Sequence, residues 1–283
     1  MIFVVIIVEF WPISAVMVRI GHLGGKMRHT GGRPKVIAHR GVSGHAPEIT
    51  LEAYRQAAAL GCDGVETDVQ MLGDGTLIAF HDPDVKRTTD GIGMLSEYTL
   101  ESIRKLDAGS WFNRTFPEKA RAEYVGLQVP TLQEILELLK ASPLELLLEI
   151  KSPELYQPDF EERIIACVEM NQFINRTMFM SFSMPSIRKI KLLRPTARTA
   201  LLVCQMEPDP IEAALNAGAD ELGILHKLAT PELVESARKY GMAFSVWTPD
   251  EPADFQHMID LGVDCITSNY PDRLLQLLAD TWH

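Results

Sequence analysis

Nine short runs rich in β-branched and apolar residues are spaced along the chain from Pro34 onward, and stretches of helical period separate every consecutive pair but one. The runs cover residues 36–39, 64–70, 76–81, 144–150, 177–182, 199–203, 221–225, 243–248 and 265–268. Helical periodicity falls in residues 50–60, 131–140, 159–171, 184–193, 209–217, 230–240, 252–261 and 271–280, with Thr131 and Glu134 spaced as a capping box. Such alternation lays strands parallel to one another under a cover of helices.

The exceptional pair is contained in VETDVQMLGDGTLIAFHD, residues 65–82. A crossover between parallel strands needs about ten residues or more, so these two runs must form an antiparallel hairpin. Taking Asp74 and Gly75 as a two-residue turn sets Asp68 opposite His81, and Glu66 shares the face of Asp68. Eight parallel strands remain. The expected fold is therefore an α/β, (β/α)8 TIM barrel over residues 35–283. A small strandless insertion, residues 82–130, crosses its mouth between the hairpin and the next helix, with no second core. A chain of 283 residues that is 46% hydrophobic has ample material for one core.

Residues 1–34 differ from this pattern. An apolar stretch is followed by the glycine-rich, basic GHLGGKMRHTGGRPK. No basic residue precedes the apolar run, and Glu9 and Pro12 interrupt it, which argues against a signal or membrane segment. The expectation is a poorly ordered or loosely docked extension, with Met17 or Met27 as a working start. Membrane anchoring or export is the alternative to a cytoplasmic location.

A formal net charge of −11 excludes a nucleic-acid surface, because a phosphate polymer would be repelled over most of the protein. A small phosphorylated ligand needs only local cations. Cys62, Cys167, Cys204 and Cys265 are widely separated within apolar segments and read as buried, reduced thiols.

Barrel enzymes place their chemistry at the C-terminal ends of strands. Here those ends carry His39 and Arg40, Glu66 and Asp68, His81 and Asp82, Glu149 and Lys151, Ser181 and Phe182, and Trp247. Three carboxylates, Glu66, Asp68 and Glu149, crowded in one mouth must take up protons or share a cation. An all-oxygen set suits one hard divalent ion, Mg²⁺ or Ca²⁺. His39 and His81 suit proton transfer near neutral pH, while Arg40 and Lys151 beside a cation suit an anion such as phosphate. The combination points to phosphoryl transfer.

The segments HRGVSGHAPEIT (39–50), VETDVQMLGDG (65–75), HDPDVKRTTDGIG (81–93), LDAGSWF (106–112), VPTLQEIL (129–136), LLLEIK (146–151), VWTPD (246–250) and ITSNYPD (266–272) resemble, in order, the signatures of the glycerophosphodiester phosphodiesterase family. The resemblance implies that Glu66, Asp68 and Glu149 hold the metal and that His39 and His81 are the acid/base pair. It further implies that Arg40 and Lys151 hold the phosphate, that Phe182 and Trp247 line the substrate pocket, and that Glu48 supports the site or approaches the metal. Asp82 either orients His81 or caps the following loop, and His45 is expected at the surface. The implied reaction is metal-dependent hydrolysis of a glycerophosphodiester, through a cyclic phosphate, to sn-glycerol 3-phosphate and an alcohol, with a homo-oligomer allowed. The chain departs from the family pattern at Ile49, where Asn is usual, at Pro249 and Asp250 in place of Val-Asn, and at Ser268-Asn269. Two rivals stand beside this reading: a lysophospholipase D or sphingomyelinase D-like enzyme, with Trp111, Phe112 and Phe116 along an acyl path, and a binding protein without catalysis.

Overall fold

The computed structural model describes residues 32–151, 159–205 and 209–281; the expectation for residues 1–34 falls almost wholly outside them. Nine strands are present among the described residues: β1 (Lys35–Ala38), β2 (Gly64–Met71), β3 (Leu77–Ala79), β4 (Glu145–Ile150), β5 (Thr177–Ser181), β6 (Arg198–Val203), β7 (Glu221–Leu225), β8 (Ala243–Trp247) and β9 (Cys265–Ser268). All but β3 run parallel, in the order β1-β9-β8-β7-β6-β5-β4-β2, and β1 also pairs with β2, which closes the barrel. The TIM barrel expected from the alternation is thus the fold.

Helices α1 (Leu51–Leu60), α2 (Leu100–Ile103), α3 (Ser110–Thr115), α4 (Leu132–Lys140), α5 (Phe160–Met170), α6 (Met184–Leu193), α7 (Pro210–Ala217), α8 (Pro231–Lys239), α9 (Pro252–Leu261) and α10 (Pro271–Thr281) follow in chain order. Their ends have local causes. Thr131 and Glu134 form the expected capping box of α4, and the Thr50 hydroxyl accepts from Ala53 N at the start of α1. Pro210, Pro231 and Pro252 sit in the first turns of α7, α8 and α9, where the missing N–H costs nothing. The helix-facing strand residues, such as Val65, Val69, Leu146 and Leu148, pack under the helices. Ile37, Leu147, Met178, Met180, Ala200, Leu202 and Cys265 fill the barrel interior. A strand buried on both faces loses the alternation of polar and apolar residues, and β2 is buried along its whole length.

The hairpin is real, but its register differs from the count. Val69 pairs with Ala79, Gln70 with Ile78 and Met71 with Leu77, and Leu72 N donates to Thr76 O. Asp68 therefore lies opposite Phe80, whose N–H donates to Asp68 O, and not opposite His81. The loop holds three residues, Gly73 to Gly75, with Gly75 in the left-handed region at φ 84°. This longer loop, closed by an αL glycine, is the usual alternative to a two-residue turn. As β3 ends at Ala79, His81 is carried on a loop.

The insertion has a small core of its own, which the sequence did not announce. Phe80, Val85, Leu95, Ile103, Ala108 and Val129 are buried together with Leu72 and Ile78 at the hairpin. Phe112 is fully buried and packs with Tyr124, Ala46 and Ala53, with Trp111 and Phe116 against them. These aromatics are engaged in packing. All four cysteines are free, but only Cys62 and Cys265 are buried; Cys167 is half-buried and Cys204 exposed, because Cys204 lies just past the end of β6. No helix of the described residues is long and apolar enough to cross a membrane.

Candidate active site

β2 and β4 are paired with Asp68 level with Glu149, and Glu66 lies two residues before Asp68 on the same face. The register alone therefore gathers three acids. Carboxylate oxygens of Glu66, Asp68 and Glu149 all lie within 4.8 Å of one another, and all three residues are buried. Burial pushes the pKa of Glu66 and of Glu149 upward, and the charge of Asp68 adds to both shifts. Neither buried oxygen of Asp68 has an aligned hydrogen-bond donor. Its compensation is ionic, from Lys151 Nζ at 3.1 Å and Arg40 Nε at 3.3 Å.

Arg40 and Lys151 are thus brought to the acids. Lys151 Nζ also lies 2.6 Å from Glu149, and Arg40 Nη1 donates to Glu48 Oε1 at 2.9 Å. Arg40 adopts φ 56°, which turns its backbone N–H onto Glu66 Oε2 at 2.9 Å. The next residue must be glycine. At Gly41, with φ 80°, a Cβ would come within 2.6 Å of Ala53 Cβ. Ile49 is also left-handed, at φ 52°, a conformation that Asn tolerates far better than a β-branched residue. Its side chain is buried in the core under the helices, and its N–H still donates to Arg40 O at 2.9 Å.

Glu48 does not join the carboxylate trio. It lies between Arg40 and Arg87, whose Nη1 and Nη2 each donate to it at 2.8 Å. Burial would raise the Glu48 pKa, but Arg87 and Arg40 outweigh it and bring it down to about 2. Arg87 also donates to Asp82, and Asp82 Oδ1 lies 2.6 Å from His81 Nδ1, so Asp82 orients the imidazole. Gln70 contributes from β2 by donating to Phe80 O at 2.8 Å and Asp82 O at 2.9 Å, which pins the loop that carries His81. Neither Arg87 nor Gln70 was singled out from the sequence. Arg87 is one of many surface-like arginines until the loop folds back, whereas Gln70, on the same β2 face as Glu66 and Asp68, carried a readable signal.

His39 follows β1, with Nδ1 2.7 Å from Asn269 Oδ1 and Nε2 3.8 Å from Glu66 Oε2. Burial, and then the charge of Arg40, lower its pKa to about 4. Burial also lowers that of His81, against the pull of Asp68. Phe182 and Trp247 meet edge to face at 5.7 Å beside Lys151, and Trp247 Nε1 is a buried donor without a hydrogen-bond partner. Ser181 instead donates to Ile150 O at 3.0 Å. His45 lies at the surface with 37% of its side chain exposed, 3.1 Å from Asp272 and edge-on to Tyr270.

A sequence profile of the Glycerophosphoryl diester phosphodiesterase family matches residues 39–273. The chain belongs to this family. It is 38% identical over 243 residues to the glycerophosphodiester phosphodiesterase of Caldanaerobacter subterraneus subsp. tengcongensis, covering 86% of this chain and 97% of that protein. Its identity to the glycerophosphodiester phosphodiesterase of Bacillus subtilis (strain 168) is 36% over 249 residues, or 83% of each. Among solved structures, an Oleispira antarctica phosphodiesterase in complex with the product sn-glycerol-3-phosphate superposes with a TM-score of 0.80. The identity is 28%, covering 87% of this chain and 97% of the other. Family membership makes the protein a phosphodiesterase.

The residues present fit a divalent cation. Five carboxylates, Glu48, Glu66, Asp68, Asp82 and Glu149, meet three cationic side chains, Arg40, Arg87 and Lys151. With all five acids ionised, two negative charges are left over, which one divalent ion would neutralise. The undonated oxygens of Asp68 and the oxygen-only donor set suit a hard ion.

Proposed function

We propose that the protein hydrolyses glycerophosphodiesters to sn-glycerol 3-phosphate and a free alcohol in a metal-dependent reaction. The observation that carries this reading is the buried trio of Glu66, Asp68 and Glu149. His39 and His81 approach the trio from the ends of β1 and of the hairpin. Glu66, Asp68 and Glu149 would hold one Mg²⁺ or Ca²⁺, which when bound supplies Lewis acidity toward phosphate and hydroxyl oxygens. Arg40 and Lys151 offer N–H donors to the remaining phosphate oxygens. Trp247, through its unpartnered Nε1–H, and the ring of Phe182 bound the space for the substrate.

One imidazole takes the proton of a glycerol hydroxyl as that oxygen bonds to phosphorus. The other gives a proton to the departing alcohol oxygen as its P–O bond breaks. Water then opens the cyclic phosphate with the two imidazoles exchanging roles. The test is release of glycerol 3-phosphate from glycerophosphocholine and related head groups, with and without EDTA. EDTA-sensitive release that is lost in His81→Ala and in His39→Ala is expected. Turnover unchanged in either variant, or a marked preference for lysophosphatidylcholine, would overturn the reading.

A further inference from the structure

We infer that Asp250 and Asn269 are positioning residues that lock His39 in the Nδ1–H tautomer, so that Nε2 enters the site with its lone pair free. A side-chain amide has one accepting and one donating end, and the neighbours decide which end faces an imidazole. At Asn269 the neighbour is Asp250, whose Oδ2 accepts from Asn269 Nδ2 at 2.7 Å. The other oxygen, Oδ1, accepts from Ser268 Oγ and from the Asn269 backbone N–H, each at 2.9 Å. Three donors converge on one carboxylate. The NH₂ end of Asn269 is therefore committed to Asp250, and its oxygen is turned to the ring.

An amide oxygen accepts only, so His39 Nδ1, 2.7 Å away, carries the hydrogen. Ser43 Oγ, 2.8 Å from the same oxygen and 2.8 Å from His39 O, can donate to either and leaves this polarity intact. In a neutral imidazole the other nitrogen is then bare. That nitrogen, Nε2, is the one on the Glu66 side, 3.8 Å from Oε2. The relay runs across three neighbouring strand ends, from the loop after β8 to the residue after β9 to the residue after β1. Arg273 Nη1 anchors its far end by donating to Asp250 O at 3.1 Å.

The inference rests on the proton-transfer role proposed for His39, and its test separates the two. In Asp250→Asn an NH₂ group replaces a carboxylate oxygen of nearly the same shape. The Asn269 backbone N–H can only donate and keeps the oxygen of the new amide on its side, so the new NH₂ faces that of Asn269. Two NH₂ groups cannot face each other, and the Asn269 side chain reverses, presents its nitrogen to His39, and moves the ring hydrogen to Nε2. We expect kcat to fall about 10²-fold while KM changes by less than about 2-fold. The double variant Asp250→Asn/Asn269→Asp again offers an oxygen to both the ring and the new amide, and most of kcat should return.

The direct readout is the ¹⁵N spectrum of His39 in the full-length protein with saturating Mg²⁺, assigned by its loss in His39→Ala. The wild type should show an unprotonated Nε2, Asp250→Asn a protonated one, and the double variant an unprotonated one again. A protonated Nε2 in the wild type overturns the inference, as does a double variant no better than Asp250→Asn. Should the single variant fail to fold, the wild-type spectrum decides alone. Undiminished turnover in His39→Ala would instead remove the catalytic reading while leaving the tautomer as measured.

Discussion

His81 donates through Nδ1 to Asp82 Oδ1 across 2.6 Å, and Arg87 holds the opposite oxygen of the same carboxylate. The pair is half-buried, and Arg87 is tied in turn to Glu48, so the imidazole is oriented by a chain of charge-assisted bonds. Asp82→Ala should leave the ring free to turn. Steady-state kinetics should show kcat reduced by about 10- to 10²-fold, with little change in KM. A loss confined to KM would assign Asp82 to substrate binding instead.

Glu66 shows the tension between stability and chemistry. Among the described residues it accepts one hydrogen bond, from the Arg40 N–H at 2.9 Å, and a glutamine oxygen can accept it equally well. Its pKa is raised by burial and by Asp68, so its negative charge opposes folding at neutral pH when no cation is bound. Glu66→Gln should raise the stability of the EDTA-treated protein by about 1–2 kcal/mol and abolish its stabilisation by added Mg²⁺ or Ca²⁺. Thermal unfolding with and without the ions checks both.

Glu48 predicts the acid limb of stability. Its pKa falls from 4.5 in the unfolded chain to about 2 in the folded one, because Arg87 and Arg40 outweigh burial. With the folded value depressed, the unfolded state binds more protons below pH ~5. The stabilisation is complete above the unfolded value and is lost as pH falls toward 2. It amounts to about 3 kcal/mol at neutral pH. Urea unfolding of wild type and Glu48→Gln should differ most at pH 6, by roughly half as much at pH ~3, and converge only near pH ~2; a constant gap would assign the effect to shape rather than charge.

Phe112 separates packing from substrate choice. It is fully buried against Tyr124, Ala46 and Ala53. Phe112→Ala should cost about 3–5 kcal/mol of stability. The activity ratio between glycerophosphocholine and lysophosphatidylcholine should stay as in the wild type. A shifted ratio with unchanged stability would place an acyl path here.

The barrel, the hairpin and the carboxylate trio were legible in the chain because each depends on a short-range count. Parallel strands need crossover helices, five residues between two strands forbid one, and side chains two apart on a strand share a face. The rest depended on contacts between distant segments. The hairpin register turned on whether the loop held two residues or three, which a Gly-Asp-Gly sequence allows equally. The insertion's small core unites residues from Leu72 to Val129 whose apolar spacing follows no helix or strand period. Arg87 reaches Glu48 across 39 positions, and Asn269 reaches His39 across 230. Local periodicity therefore determined which residues stand at the mouth of the barrel. Only the closure of the sheet, which brings β9 beside β1, decided which oxygen His39 meets and hence which of its nitrogens faces the site.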